Sequence, residues 1–502
     1  MVNIASTQQE INFRLKSAPE YREASLAGLL SLLVAAILLL NAIWVEGNSF
    51  QPLLLIIGGS YLFFAVIQLV IWFFIRRNLL HHGHITPAVR RSGYLLLPAI
   101  LVANVFVVIA GSQLIKRSKS TAYTLAVYTL LSTILTFAVS ALNTLKPYVA
   151  DYFLIGMALL LICAIFQLVS LLLLAKYKQE DFLPRWMYVV AAILIATAAT
   201  GNVFALFLGI MLIAKIRNQG YTSGTRFGEI FEKLARSMTS MLGLLFVSFL
   251  VTLAITSMLT FDSSLAIDNN YSAILQQPSA MYPLGTDNFG RDLFSRIIMG
   301  ARISLLVGVL TTVIPLIIGG LLGAISGYYG KHTDNIIMRA LDILYAIPGI
   351  LLAIAIIAAF GAGIFNLIIA LSIGSIPTYA RIMRANVLQV SSLEYVQAAS
   401  AIGSSDRLIL FRHILPNTVA PMIVQSTLTI GTAVISTSSL SFLGLGVEPH
   451  IPEWGNILKL GSAYLETHPY TAIYPGLAII LLVLAFNFLG DGLRDALDPK
   501  LN

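Results

Sequence analysis

The sequence predicts an all-α polytopic membrane protein, and three observations carry that prediction. Of the 502 residues, 58% are hydrophobic and only 11% are charged, with a mean hydropathy of +0.86. A soluble fold of this length has too little polar surface to cover so much apolar material. Twelve apolar runs approach 20 residues, the length that crosses a bilayer at about 1.5 Å per residue. The basic residues, which give a net charge of +8, gather between alternate runs. In a soluble chain that charge would raise nucleic acid as a partner; here it fits cytoplasmic loops, and no aromatic-interleaved basic stripe accompanies it.

The first six runs lie at about 26–45, 52–75, 94–115, 122–145, 152–175 and 188–214. A polar, mixed-charge stretch of about 25 residues precedes them, without the pattern of a cleaved signal peptide. The single cysteine, Cys163, sits inside the fifth run and excludes both an internal disulfide and a multi-cysteine metal site. His81, His82 and His84 could hold a metal in pairs, but no carboxylate or thiolate stands nearby, and a solvated loop is the better reading.

Residues 216–239 form the joint between halves, so the chain divides into an extension (1–215), a linker (216–239) and a core (240–502). In the joint, Phe227, Ile230, Phe231 and Leu234 recur at helical spacing among Glu229, Glu232, Lys233 and Arg236. That pattern predicts an amphipathic elbow helix lying in the interface, against the alternative of a linker helix packed on its neighbours. The core runs follow at about 240–260, 303–326, 343–361, 364–385, 417–440 and 471–490. With the N-terminus inside, 21 basic residues fall inside and ten outside; Lys116, Arg117, Lys119, Lys176, Lys178 and Arg185 are the exceptions in the extension.

The stretch from Glu394 to Asn417 is a polar interruption that reads as two short helices broken at Gly403. Ser391 and Glu394 have capping-box spacing, Asp406 suits the first turn of a second helix, and Pro416 should end that helix at Leu415. Ala398, Ala399 and Ala401 leave little bulk, which makes a docking shape rather than a catalytic one. On the outer side, Gly285 and Gly290 serve turns, and Asp292 and Arg296 have the spacing of a helical ion pair. Pro449, Pro452, Gly455 and Gly461 should make 441–470 irregular, a loop dipping back toward the pore where surrounding protein can satisfy its backbone.

Gln397-Ala398-Ala399, Gly403 and Ile414-Leu415-Pro416 resemble the EAA loop of ABC-importer permeases, although that family usually has Glu where this chain has Gln397. With Pro283 to Asp292, Ser441 to Gly446, Glu453 to Asn456 and Asn487 to Asp495, residues 225–502 are similar to the second permease subunit of dipeptide, oligopeptide and nickel importers. The resemblance implies a type I ABC-importer permease core of about six spans, preceded here by about six extra transmembrane helices. It also implies coupling to an ATPase through Glu394, Gln397, Ala398, Ala399, Gly403, Arg407, Arg412 and Pro416. A binding protein would meet the outer loop at Gly285, Asp287, Gly290, Arg291, Asp292, Glu453 and Trp454; the equal alternative is that this motif only fixes the loop. The implied partners are a second permease subunit, two cytoplasmic ATPase subunits carrying ATP and Mg, an extracytoplasmic peptide-binding protein and membrane lipid. The implied setting is a bacterial or archaeal cytoplasmic membrane, with both termini cytoplasmic and no cofactor in this chain.

Energy must enter from outside the chain. None of the 23 acidic residues lies well within a predicted span, whereas ion-driven transporters commonly keep a carboxylate there. Gly327 to His332 lacks the spacing and the Lys-Ser/Thr ending of a phosphate loop. A nickel importer would carry the same motifs, and a twelve-span secondary transporter is the rival from another class. For the extension, a scaffold or docking role is favoured over sensing, since no ionisable cluster lies within its runs.

Overall fold

The computed structural model describes residues 15, 18–43, 52–115, 120–146, 148–176, 183–218, 226–235 and 237–497. It is all-helical, and among the described residues nine helices are long and apolar enough to span a membrane, or ten if one bent pair counts as a span. The chain divides into two compact units. One comprises Met1–Leu145 with Leu154–Met238, and the other Lys146–Phe153 with Thr239–Asn502. The division falls between Met238 and Thr239, and the segment 146–153 groups with the second unit rather than the first.

In the first unit, α1 (Pro19–Ile43) and α2 (Pro52–His82) are spans, followed by a short α3 (Pro87–Arg91). The run expected to cross at 94–115 does not. It is a hairpin of a 3-10 helix, Ser92–Val102, and α4, Val105–Ile115. Gly111 sits so close to the first arm that a Cβ there would stand 2.9 Å from the Gly93 carbonyl oxygen. Each arm has 11 residues, which in α form reaches roughly 16 Å, about half of a bilayer core. Pro98 lacks an amide hydrogen, which accounts for an arm without regular α bonding. After α5 (Thr121–Ala141, continued to Leu145 by a 3-10 turn) and α6 (Phe153–Lys176), the run expected at 188–214 folds the same way. Here α7 (Met187–Thr197) turns back into α8 (Val203–Arg217), and a Cβ on Gly209 would meet the Ala191 carbonyl at 2.9 Å. Hydropathy cannot separate one span of 22 residues from two apolar arms of 11, so the expected twelve crossings become at most ten among the described residues.

The two hairpins are copies. Asn104-Val105-Phe106, Gly111 and Leu114-Ile115 recur as Asn202-Val203-Phe204, Gly209 and Leu212-Ile213, each 98 positions later. Ala65, Gln68, Leu69 and Val70 recur 99 positions later as Ala164, Gln167, Leu168 and Val169. The geometry repeats with the letters. At each tip a left-handed residue, Ala103 (φ 55°) or Gly201 (φ 93°), precedes an Asn whose side-chain oxygen accepts an amide of the next helix, from Val107 or Ala205. The Asn104 amide donates to Ser31 Oγ at 2.7 Å. The Asn202 amide donates to the Thr129 carbonyl at 2.8 Å and to Thr133 Oγ1 at 3.0 Å. Ser31 and Thr129 are again 98 apart, so the first unit is a tandem duplication of span, span and hairpin. The amphipathic helix α9 (Arg226–Ala235) follows, with Phe231 packed on Phe207 at 4.5 Å between ring centroids; the side chain of Phe227, and Arg236, lie outside the described residues.

The second unit contains α10 (Met238–Thr260), the short α11 (Ser263–Ile267) and α12 (Leu293–Tyr329). Next come α13 (Lys331–Tyr345) and α14 (Gly349–Phe360), bent by 80° at Ala346–Pro348, and then α15 (Ile364–Ser391). The remainder is α16 (Glu394–Ala401), α17 (Asp406–Phe442), α18 (Trp454–Ser462) and α19 (Tyr470–Leu497). Gly319, Gly323 and Gly327 form one face of α12 against the α15 backbone, the small-residue packing that lets membrane helices approach closely. Lys146 fixes sidedness: its Nζ lies 2.5 Å from Asp292 Oδ2 at the start of α12. Twelve crossings would put residues 146 and 292 on opposite faces of the membrane. The second hairpin, in place of the span expected at 188–214, leaves two crossings between them, α6 and α10, and puts them on the same face.

Candidate functional site

Two places in the second unit gather the residues singled out by sequence. The first is the α15–α17 junction. Ser391 does not open a new helix as its spacing suggested; it is the last residue of α15, and α16 begins after Leu393 without a side-chain cap. Gly403 does end α16. It adopts φ +80°, with its amide donating to the Ser400 carbonyl and the Ser404 amide to that of Ala399, closing a left-handed C-terminal turn. The helix after the break, expected to stop at Leu415, instead runs on to Phe442. Residues Ile409–Ile414 widen into a π turn in which the Leu415 amide reaches the Leu410 carbonyl, and this makes room for the Pro416 ring that would otherwise clash one turn back.

The junction has a buried underside and an exposed face. Val396, Ala399, Ile409, Leu410 and Ile414 pack with Tyr379, Met383 and Val387 of α15. Tyr328 donates its hydroxyl to Asp406 at 2.9 Å, and the Asn417 amide bridges the Tyr395 hydroxyl and the His413 carbonyl. Outward stand Glu394, Gln397, Ala398, Gly403, Arg407, Arg412 and Pro416, while Ala399 is buried. The Gln397 side chain folds back onto the Ser392 carbonyl at 3.2 Å. Sequence reading missed Ile402, 83% exposed, with Leu408 and Phe411 beside it also exposed. Large apolar side chains at the end of a membrane helix, around a polar turn, are the mark of a surface meant to be covered. Their signal was present as apolar residues inside a polar interruption.

Below the junction, Asp334 of α13 accepts from Nε and Nη2 of Arg384 on α15, at 2.6 and 2.5 Å, and from Ser326 of α12. Asp342 and Arg381 make a second, more exposed pair. These braces join helices 39 to 50 residues apart, beyond the reach of local spacing rules.

The second place is the outer loop. Gly285 and Gly290 take positive φ (78° and 74°) in its turns, and a Cβ on Gly290 would collide with the Asn270 carbonyl. The expected Asp292–Arg296 pair is not formed. Asp292 is the N-cap of α12, accepting from the Phe294 and Ser295 amides, and its charge partner is Lys146. Arg296 donates to the Ala266 carbonyl at 2.7 Å and approaches Asp287 at 3.5 Å, and Asp287 also holds Arg291 at 2.7 Å. Glu453 caps α18 through the Asn456 amide, with burial raising its pKa, and the Trp454 indole donates to the Ile297 carbonyl at 2.8 Å. Asp287, Arg291, Asp292, Glu453 and Trp454 are each at most 5% exposed. Their polar groups are spent on partners within the loop and the adjoining helix ends. The stretch 441–470, expected to be irregular, contains the ordered helix α18, whose Gly455 lies against the Ser438 backbone.

Comparisons with known proteins converge on the second half of the chain. The family described as "binding-protein-dependent transport system inner membrane component" matches residues 319–502. The dipeptide transport system permease protein DppC of Alkalihalophilus pseudofirmus is 44% identical over 281 residues, covering 56% of this chain and 92% of that protein. Glutathione transport system permease proteins GsiD are similarly related. That of Pectobacterium atrosepticum is 45% identical over 279 residues (55% of this chain, 92% of that protein), and that of Escherichia coli O6:K15:H31 is 47% identical over 279 (55% and 91%). These matches leave the N-terminal extension uncovered. A chain of the MetNI methionine ABC transporter aligns at TM-score 0.35 and 19% identity, over 40% of this chain and 97% of that one.

Proposed function

The chain belongs to the binding-protein-dependent permeases of ABC importers, as a pore-forming rather than ATP-hydrolysing subunit, and from that premise we propose that it forms half of a pore for small peptides. The cargo reading rests on relatives named for dipeptide and glutathione transport. The partners are a second permease subunit, two ATPase subunits that bind ATP and Mg, and an extracytoplasmic binding protein.

The observation that carries the mechanism is the Ile402–Phe411 surface, apolar and exposed outside, packed on α15 beneath. A push on this surface by an ATPase passes into α15 through Val396 and Ile409. The bidentate Asp334–Arg384 brace then passes it to α12 and α13, and the outer ends open toward a loaded binding protein. Gly403 supplies the rigid stop, and Arg407 and Arg412 rim the contact. Gly403→Asp should abolish uptake while ATPase activity continues in the reconstituted assembly. The left-handed φ costs a non-glycine residue on the order of 1 kcal/mol, and the new charge faces the docking surface. No heavy atom lies within 4 Å of a Cβ there, so the variant should still fold and insert. Wild-type coupling ratios in that variant would remove this surface from the mechanism.

We assign both ends of the chain to the cytoplasm. With 83–120 and 177–186 on the inner side, only Lys146, Arg291, Arg296, Arg302 and Lys459 of the 31 basic residues fall outside, and the exceptions noted from the sequence disappear. Tyr148 is half exposed beside Lys146. In a Cys163→Ser background, Tyr148→Cys should react with a membrane-impermeant maleimide added to intact cells. Labelling only after permeabilisation would reverse the assignment.

A further inference from the structure

The segment 76–91 carries Arg76, Arg77, His81, His82, His84, Arg90 and Arg91 without one Asp or Glu. Where α2 ends and the first hairpin begins, a cavity of about 450 Å³ is lined by His84, Arg90, Arg91 and Tyr94, with Ile85 and Ile115 among its apolar walls. We propose that this cavity binds the phosphate headgroup of an anionic phospholipid. No carboxylate lines it. Arg90 is held in place by donating to the Leu114 carbonyl at 3.3 Å and by Glu20 of α1 at 3.5 Å. Arg91 is exposed and has no ion-pair partner among the described residues.

The position suits a lipid. α2 is apolar until Arg76 and ends at His82, so the cavity lies at the level where a span leaves the hydrocarbon. From Tyr94 at the cavity wall, Leu95 and Leu101 continue along the hairpin arm, 62% and 86% exposed, an apolar track for acyl chains. A free phosphate would use the arginines but not that track. A metal is poorly served, because the His82 and His84 rings stand 6.3 Å apart and no third ligand joins them among the described residues. Basic pockets between helices on the inner side of a membrane are suited to anionic headgroups.

The test is native mass spectrometry of the full chain, delipidated and then loaded with phosphatidylglycerol or phosphatidylcholine. Phosphatidylglycerol should be retained preferentially. Arg91→Gln should weaken its retention about fivefold and Arg90→Gln with Arg91→Gln about 25-fold, the factors given by roughly 1 kcal/mol per basic residue near a headgroup. Thermal melting reports whether each variant is folded, and if the double variant is not, the single one decides. Equal retention of the two lipids, or retention unchanged in Arg91→Gln, would overturn the proposal. Displacement of phosphatidylglycerol by millimolar inorganic phosphate would reassign the cavity to a free anion.

Discussion

Lys146→Met should destabilise the protein by about 3–5 kcal/mol, the cost of leaving one member of a buried ion pair without the other. The Lys146 ammonium and the Asp292 carboxylate are 1% and 0% exposed at the side chain. Nζ also donates to Ser295 Oγ at 2.6 Å and lies over the Phe261 and Phe294 rings. Burial lowers the pKa of the ammonium, and Asp292 opposes that shift. Asp292 caps the 37-residue α12, so an uncompensated charge here would loosen the outer end of that helix. Asp292→Asn keeps a good cap but orphans Lys146, and should cost a similar amount. The double variant removes both charges and should recover most of the loss, because two neutral groups carry no comparable burial penalty. Thermal or denaturant unfolding in detergent measures all three. A Lys146→Met protein that melts with the wild type would show that the pair contributes nothing. The same contact bears on the extension: deleting residues 1–215 would leave Asp292 buried without its cation.

Lys146 also shows where sequence reading stopped. Gly403, Gly285 and Gly290 were legible because a left-handed turn is a local demand that few residues meet. The Asp292–Arg296 pair was inferred from local spacing and failed, since Asp292 sits at the cap, outside the helix, and its true partner is 146 positions away. Pro416 was read as a stop because proline usually is one; a π turn absorbed it, and nothing in the local sequence announces that turn. The hairpins were the larger miss. Hydropathy treated 94–115 and 188–214 as spans, yet the breaks at Ala103-Asn104 and Gly201-Asn202 were visible, and their 98-residue recurrence would have exposed the duplication. The burial of Asp287, Asp292 and Glu453 could not be read at all, because polar letters in a loop look the same whether they face water or hold the loop together.

Gly323→Ala should be the most damaging single-methyl change along the α12–α15 contact. A Cβ at Gly323 would stand 2.2 Å from the Ala380 carbonyl oxygen and 2.9 Å from its Cα, and both are backbone atoms of α15 with no rotamer to yield. The neighbouring turns are close as well, though less so: a Cβ on Gly319 would face the Ile376 carbonyl at 2.6 Å and one on Gly327 that of Arg384 at 2.9 Å. Relief therefore requires α12 and α15 to separate along their contact, at an overpacking cost of about 1–3 kcal/mol or more. Separation also strains the Asp334–Arg384 brace and displaces the end of α15, from which α16 follows after two residues. Uptake should then fall further than stability, with ATP hydrolysis no longer matched by transport. Gly320→Ala is the control. Its Cβ would meet only the Met383 methyl, at an ordinary contact distance of 3.6 Å, so melting should change by no more than about 0.5 kcal/mol and uptake should be normal. If the two variants behaved alike in melting and in the ratio of uptake to hydrolysis, close α12–α15 contact would not be what carries motion from the α16 surface to the pore.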